Sequence, residues 1–199
     1  MNRILAYATC LAVIVALPAG AFAQQADKPA QERKAGSEQR FLMNAANDNL
    51  AEVQLGRLAA ERGKFDEVKK FGERMATDHQ KAYDELKQLA EAKGVKVPTE
   101  PGDRAKKEYD RLAKMSDADF DRAYMNLMVR EHDRDVKAFE RAARNEKDAQ
   151  VKDWAAKTLP TLQEHQKLAK EINGHVRTAS KERGSSPSAS PGAAPKSSK

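Results

Sequence analysis

Along the middle of the chain apolar residues recur at intervals of three and four, and no stretch alternates strictly, so the pattern predicts helices and no strands. A first helix opens at Ser37, carries Phe41, Leu42, Ala45, Ala46, Val53 and Ala60 on one face, and stops at Gly63. A second runs through Phe65, Val68, Phe71, Met75, Ala82, Leu86 and Leu89 to Gly94. A third opens at a Ser116 cap with Asp119 in its first turn, and continues through Phe120, Tyr124, Leu127, Met128, Phe139 and Ala142. A fourth starts at Asp148, carries Val151, Trp154, Ala155, Leu162, Ala169 and Ile172, and stops at Gly174. Pro160 inside it predicts a kink, with the carbonyl near Ala156 needing Thr161 or water as partner.

The connections set the topology. The first and second helices, and the third and fourth, are joined by a few residues, which forces antiparallel hairpins. Val95 to Met115 separate the hairpins, broken by Pro98 and Pro101, with a short helical turn around Tyr109 and Leu112. That length can run back along a helix of about 40 Å at 1.5 Å per residue. Two tight hairpins joined by a long crossover containing a short helix is the pattern of an all-α, ferritin-like four-helix bundle. A plain up-and-down bundle with a long middle loop is the competing topology.

Some polar residues fall on the apolar faces. His79 continues the row Phe71, Met75, Ala82, Leu86, and His165 continues Trp154, Thr158, Leu162, Ala169. Asp121, Glu131, His132 and Asp135 lie within the arc of Phe120, Tyr124, Met128 and Phe139. Glu52 stands in a row of Ala45, Asn49, Gly56 and Ala59, small residues that leave room beside a carboxylate. Counted from the turns, Glu52, His79, His132 and His165 sit roughly 17 to 28 Å along their helices, at mid-height in either topology. Burying ionised groups without partners costs several kcal/mol each, so they must pair, ligate or lose their charge. Imidazoles and carboxylates together suit Zn, Mn or Fe, and facing helices of a bundle are where such centres are built. The bland alternative is a His–carboxylate network that only fixes helix packing. His175, beyond Gly174, reads as a solvated residue at a helix end, and Met75 and Met128 read as core.

The ends change the picture less. Arg3, the apolar stretch Ile4 to Leu17 and Ala21-Phe22-Ala23 read as a secretory signal peptide over residues 1–23, cleaved before Gln24. The apolar run is too short for an anchor that spans a membrane, and Tyr7-Ala8-Thr9 before Cys10 does not fit a lipoprotein signal. The single Cys would leave with the leader, so the expected mature chain, in a periplasm or secreted, has no disulfide and no thiolate metal site. Residues 24–36 read as a flexible leader, 37–175 as the bundle, and 176–199 as a disordered basic tail rich in Ser and Pro. Of the formal net charge of +6, Arg3 leaves with the leader, +4 belongs to residues 176–199, and +1 remains for residues 24–175. A folded part so near neutral argues against nucleic acid as partner, while the basic tail offers contact with the cell envelope. The oligomeric state is not legible.

Four stretches carry a resemblance: Ala51-Glu52-Val53-Gln54-Leu55-Gly56, Arg74-Met75-Ala76-Thr77-Asp78-His79, Met128-Val129-Arg130-Glu131-His132-Asp133-Arg134-Asp135-Val136, and Thr158-Leu159-Pro160-Thr161-Leu162-Gln163-Glu164-His165. Over about residues 38–173 the chain resembles the bacterial secreted family called domain of unknown function 4142. The resemblance implies a ferritin-like fold and brings no established reaction. Ferritin-like di-iron proteins use Glu-x-x-His on two helices, and the chain departs from that pattern: Ala76 stands three before His79, Leu162 three before His165, and His132-x-x-Asp135 has the reverse order. A single metal held by Glu52, His79, His132 and His165, with Asp78, Glu131 and Asp135 in or behind the ligand set, fits better than a bridged pair.

Two functions follow as expectations. One is an exported metal-binding module with a stress-protective role; the other is a non-enzymatic interaction or structural bundle. No Ser–His–Asp motif, glycine-rich phosphate loop or Cys pair supports an enzyme.

Overall fold

The structure is a computed structural model that describes residues 28–185, with side chains over residues 36–182 apart from residue 118. The leader and its cleavage point, and the tail from residue 186 onward, lie outside the described residues. The chain divides into two units at Gly36/Ser37, and the core and the candidate site belong to the second.

Five helices make up the described residues, which contain no strand: α1 (Lys28–Arg62), α2 (Asp66–Ala92), α3 (Asp103–Ala113), α4 (Asp117–Asn145) and α5 (Ala149–Ser185). No helix among them is long and apolar enough to cross a membrane. Three boundaries differ from the sequence reading. Helix α1 begins nine residues before Ser37, at Lys28, so the segment that reads as a flexible leader is helical from there. The turn around Tyr109 and Leu112 is a full helix of 11 residues, α3, anchored by the buried Leu112. Helix α5 does not stop at Gly174 but runs on to Ser185, past His175. A mid-helix glycine costs only about 1 kcal/mol, and Val176, buried at 1% exposure in the core, holds the next turn in place.

Local chemistry explains the ends that do hold. Gly94 has φ 68°, and Val95 N donates to Ala90 O at 2.9 Å while Gly94 N donates to Glu91 O at 3.0 Å. This is the left-handed glycine stop that satisfies the last carbonyls of α2. Asp148 caps α5, accepting from Gln150 N at 3.0 Å and Val151 N at 3.1 Å. Ser116 precedes α4 but bonds the Asp119 carboxylate (2.9 Å) rather than a backbone amide. Helix α5 passes through Pro160 without ending, and Pro160 and Ala156 are both exposed.

Tertiary contacts fix how the elements meet. Helix α4 packs along α5, α2 along α5, and α3 against α4. Arg62, at the end of α1, donates to the carbonyls of Leu112, Ala113 and Met115 and to Asp117, and lies 5.2 Å from the Phe120 ring centre. Asp121 accepts from Lys64 N and Phe65 N at the start of α2. At the other end of α3, Gly102 N donates to Asn47 Oδ1 at 2.7 Å. So α3 runs back beside α1, from the level of Asn47 to that of Arg62. Helices α1 and α2 touch backbone to backbone, because a Cβ on Gly56 would lie 2.7 Å from Gly72 O, and one on Gly72 2.6 Å from Gly56 O.

The apolar interior is two clusters, not one. One holds Leu55, Ala59, Phe71, Met75, Tyr124, Met128 and Ala169. The other holds Ala45, Ala46, Tyr83, Leu86, Val136, Phe139 and Leu162. On each long helix the step from one cluster to the other crosses a buried polar residue: Asn49 and Glu52, His79, His132, His165.

Candidate metal centre

The polar layer between the two clusters is a ring of acceptors. His79, His132 and His165 come from α2, α4 and α5, are at most 3% exposed, and each puts one ring nitrogen within 4.8 Å of the others. Their ring centres are 5.7, 5.3 and 5.5 Å apart. Glu52, from α1, sets Oε2 at 2.7 Å from His79 Nε2 and Oε1 at 3.9 Å from His132 Nδ1.

The nitrogen that each ring turns away from the centre is held. Asn49 donates Nδ2 to Ala45 O (2.7 Å), which aims its Oδ1 at His79 Nδ1 (2.9 Å). His132 Nδ1 lies 2.9 Å from the carbonyl of Met128, one helical turn back. His165 Nε2 lies 2.8 Å from Asp78 Oδ2. An acceptor at each of these nitrogens calls for a proton there, so neutral rings at His132 and His165 leave lone pairs on His132 Nε2 and His165 Nδ1, while His79 Nε2 faces the Glu52 carboxylate. All three atoms, and both oxygens of Glu52, are buried without a hydrogen-bond partner; they are five of the eight such atoms among the described residues. Glu52 Oε2 nevertheless lies 2.7 Å from His79 Nε2, so a proton on that nitrogen or a cation beside the two must offset the carboxylate charge. Acceptors gathered in a buried layer are costly unless something positive, or a proton, sits among them. An imidazole whose outer N–H is held by an amide oxygen, a backbone carbonyl or a carboxylate is the arrangement that orients metal ligands.

Charge follows the same lines. Burial, and then the charge His79 can carry, push the His165 imidazole down to about 4 in spite of Asp78. Burial lowers His132 as well. Burial raises the Glu52 carboxyl, but its histidine neighbours, His79 foremost, outweigh that and hold it at about 2. At neutral pH the centre is therefore a carboxylate facing neutral imidazoles at His132 and His165, the protonation state that metal ions bind.

The remaining candidates stand behind or beside these four. Asp78 stays outside the ring: its side chain is 30% exposed and is shared between His165 and Arg74 (3.2 Å), which in turn binds Glu164. Glu131 faces a groove and pairs with Arg134 and with Arg104 (3.5 Å). Asp135 is buried and 3.3 Å from Arg134. With Glu52 and His79 it lines a cavity of about 20 Å³, room for about one water. Burial, then the charges of Glu52 and Asp48, push its carboxyl up to about 9, so it is neutral at pH 7. Asp121 belongs to the α2 cap described above, not to the centre, and exposed His175 is 3.2 Å from Glu67. Sequence reasoning values Asn49 only for its size. An amide on an apolar helix face, one turn before a buried Glu, is the signal that marks it. The Met128 carbonyl carries none, being backbone.

The model of the family described as a domain of unknown function (DUF4142) matches residues 23–172. The chain belongs to this family. All four residues of the ring fall within the matched region of this DUF4142 chain. No curated protein and no solved structure matches it.

Proposed function

We propose that this DUF4142 chain is a ferritin-like four-helix bundle, two antiparallel hairpins joined by α3, that binds one divalent transition-metal ion through Glu52, His79, His132 and His165. The observation that carries this reading is the convergence of three buried imidazoles, each with one nitrogen within 4.8 Å of the others, beside the Glu52 carboxylate, with the other nitrogen of every ring already held. Three imidazoles and one carboxylate suit Zn, Mn or Fe. The ion would supply the positive charge that these acceptors face, and the chain's part is to hold four ligands rigidly in a dry layer. Export, proposed from Arg3, the Ile4 to Leu17 stretch and Ala21-Phe22-Ala23, would put this metal chemistry outside the cytoplasm, where sequestering a redox-active ion is protective. The reading assigns binding, not turnover.

The short approach of Glu52 to His79 favours one rival, a protonated His79 paired with Glu52 that merely fixes packing. Calorimetric titration of chelator-stripped protein with Zn²⁺, Mn²⁺ and Fe²⁺, for the native chain and for His79→Ala, His132→Ala and His165→Ala, separates the two. The metal reading expects one ion per chain, lost or strongly weakened in each variant, and a melting temperature raised by metal only in the native chain. Absence of stoichiometric uptake, with the variants equally destabilised with and without chelator, leaves the packing network instead.

A further inference from the structure

A groove of about 350 Å³ opens between α1, α3 and α4, and the one member of the ring that reaches it is Glu52. The other charged residues of its wall are Asp48, Glu108, Glu131, Arg104 and Arg134, so carboxylates outnumber guanidinium groups by four to two. Asp48 and Glu52 also line the small inner cavity that His79 and Asp135 border. Asp48 and Glu52 thus stand between the groove and the inner cavity and border both. Arg134 stands at that junction, 42% exposed in its side chain, tied to Asp48 at 3.4 Å, to Asp135 at 3.3 Å and to Glu131. Glu52 itself is 3% exposed, and both its oxygens lack a hydrogen-bond partner. A buried carboxylate at the floor of an acidic groove attracts a cation and repels an anion.

We propose that this groove is the entry route for a divalent cation, with Asp48 and Glu131 passing it to Glu52 and Arg134 as the positive group those carboxylates exchange for it. This rests on the metal reading above and adds the path to it. The groove residues act on the path and bond to no ligand nitrogen, so removing their charge slows entry.

Stopped-flow mixing of the metal-stripped chain with Co²⁺, read by the visible absorption of the bound ion, tests it. Asp48→Asn/Glu131→Gln should slow association about 5–10-fold at low ionic strength and flatten its salt dependence, with stoichiometry kept and affinity falling by no more than the rate. Arg134→Gln, which frees the same carboxylates, should speed association. Asp84→Asn/Asp153→Asn, removing two exposed charges from α2 and α5, should leave it unchanged. An unchanged rate in the groove variant, or equal slowing in the α2/α5 control, overturns the route while the metal centre stands. A lower affinity at an unchanged rate overturns it too, by making Asp48 or Glu131 a ligand. Native protein that takes up no Co²⁺ at equilibrium fails the metal reading itself.

Discussion

His165 gives one nitrogen to Asp78, at 2.8 Å, and keeps the other buried in the ring of acceptors without a partner. Asp78 is partly exposed and shared with Arg74, so it acts on the centre only through the orientation and basicity of that imidazole. Asp78→Asn keeps the size and an oxygen acceptor but loses the charge. Removing such an outer partner typically costs about 10–100-fold in metal affinity. The expected result for Zn²⁺, by competition with a chromophoric chelator, is a loss in that range at unchanged stoichiometry. A loss confined to the melting temperature, with affinity intact, would make Asp78 a packing residue.

The metal-free chain should have a stability optimum near pH 6.5. His165 titrates at about 4 folded against a reference of 6.5, and His132 is also lowered. Between those values the unfolded chain binds the extra protons, so stability falls as pH drops from 6.5 toward 4. Taken alone, the shift at His165 amounts to about 3 kcal/mol. Asp135 works in the opposite sense. Its folded value of about 9 against 3.8 makes the folded chain hold a proton that the unfolded chain has lost, so its contribution falls from pH 3.8 up to 9. That fall offsets the His165 limb below 6.5, where His132 tips the balance, and acts unopposed above it. Urea unfolding in EDTA from pH 5 to pH 9 should therefore give a maximum, and Asp135→Asn should remove the alkaline decline. Parallel alkaline limbs for the two proteins would mean that Asp135 is ionised in the folded state.

The helical periods and the inward histidines are legible in the sequence because each rests on a repeat of three and four. His79 lies four after Met75, His132 four after Met128, and His165 three after Leu162, so spacing alone marks each as interior. What periodicity cannot give is direction within the interior. It puts Asp121, Glu131 and Asp135 in the same arc as His132, yet Asp121 turns to the backbone of Lys64 and Phe65, and Glu131 to Arg134 and Arg104. The outer extents of α1 and α5 are illegible for a different reason. Gly36 and Gly174 look like punctuation, while a helix already anchored on one side passes such residues at small cost.

Gly56 and Gly72 set the spacing of α1 and α2, and with it the distance from Glu52 to His79. An alanine methyl at Gly72 would lie 2.6 Å from Gly56 O and 2.7 Å from Ala60 N, both backbone atoms that move only if the helices separate. Helix propensity favours alanine by about 1 kcal/mol, while forced overpacking costs about 1–3 kcal/mol and occasionally more. At Gly174 nothing lies within 4 Å of the added carbon, so there the propensity gain stands alone. Chemical denaturation should therefore show Gly174→Ala stabilising by up to about 1 kcal/mol and Gly72→Ala destabilising despite the same gain. Because the strain in Gly72→Ala pushes α2 away from α1, it should also weaken metal binding, though no ligand has been altered. A Gly72→Ala protein as stable as the native chain would show that α1 and α2 do not approach this closely in solution, and the Glu52–His79 contact would lose its geometric basis.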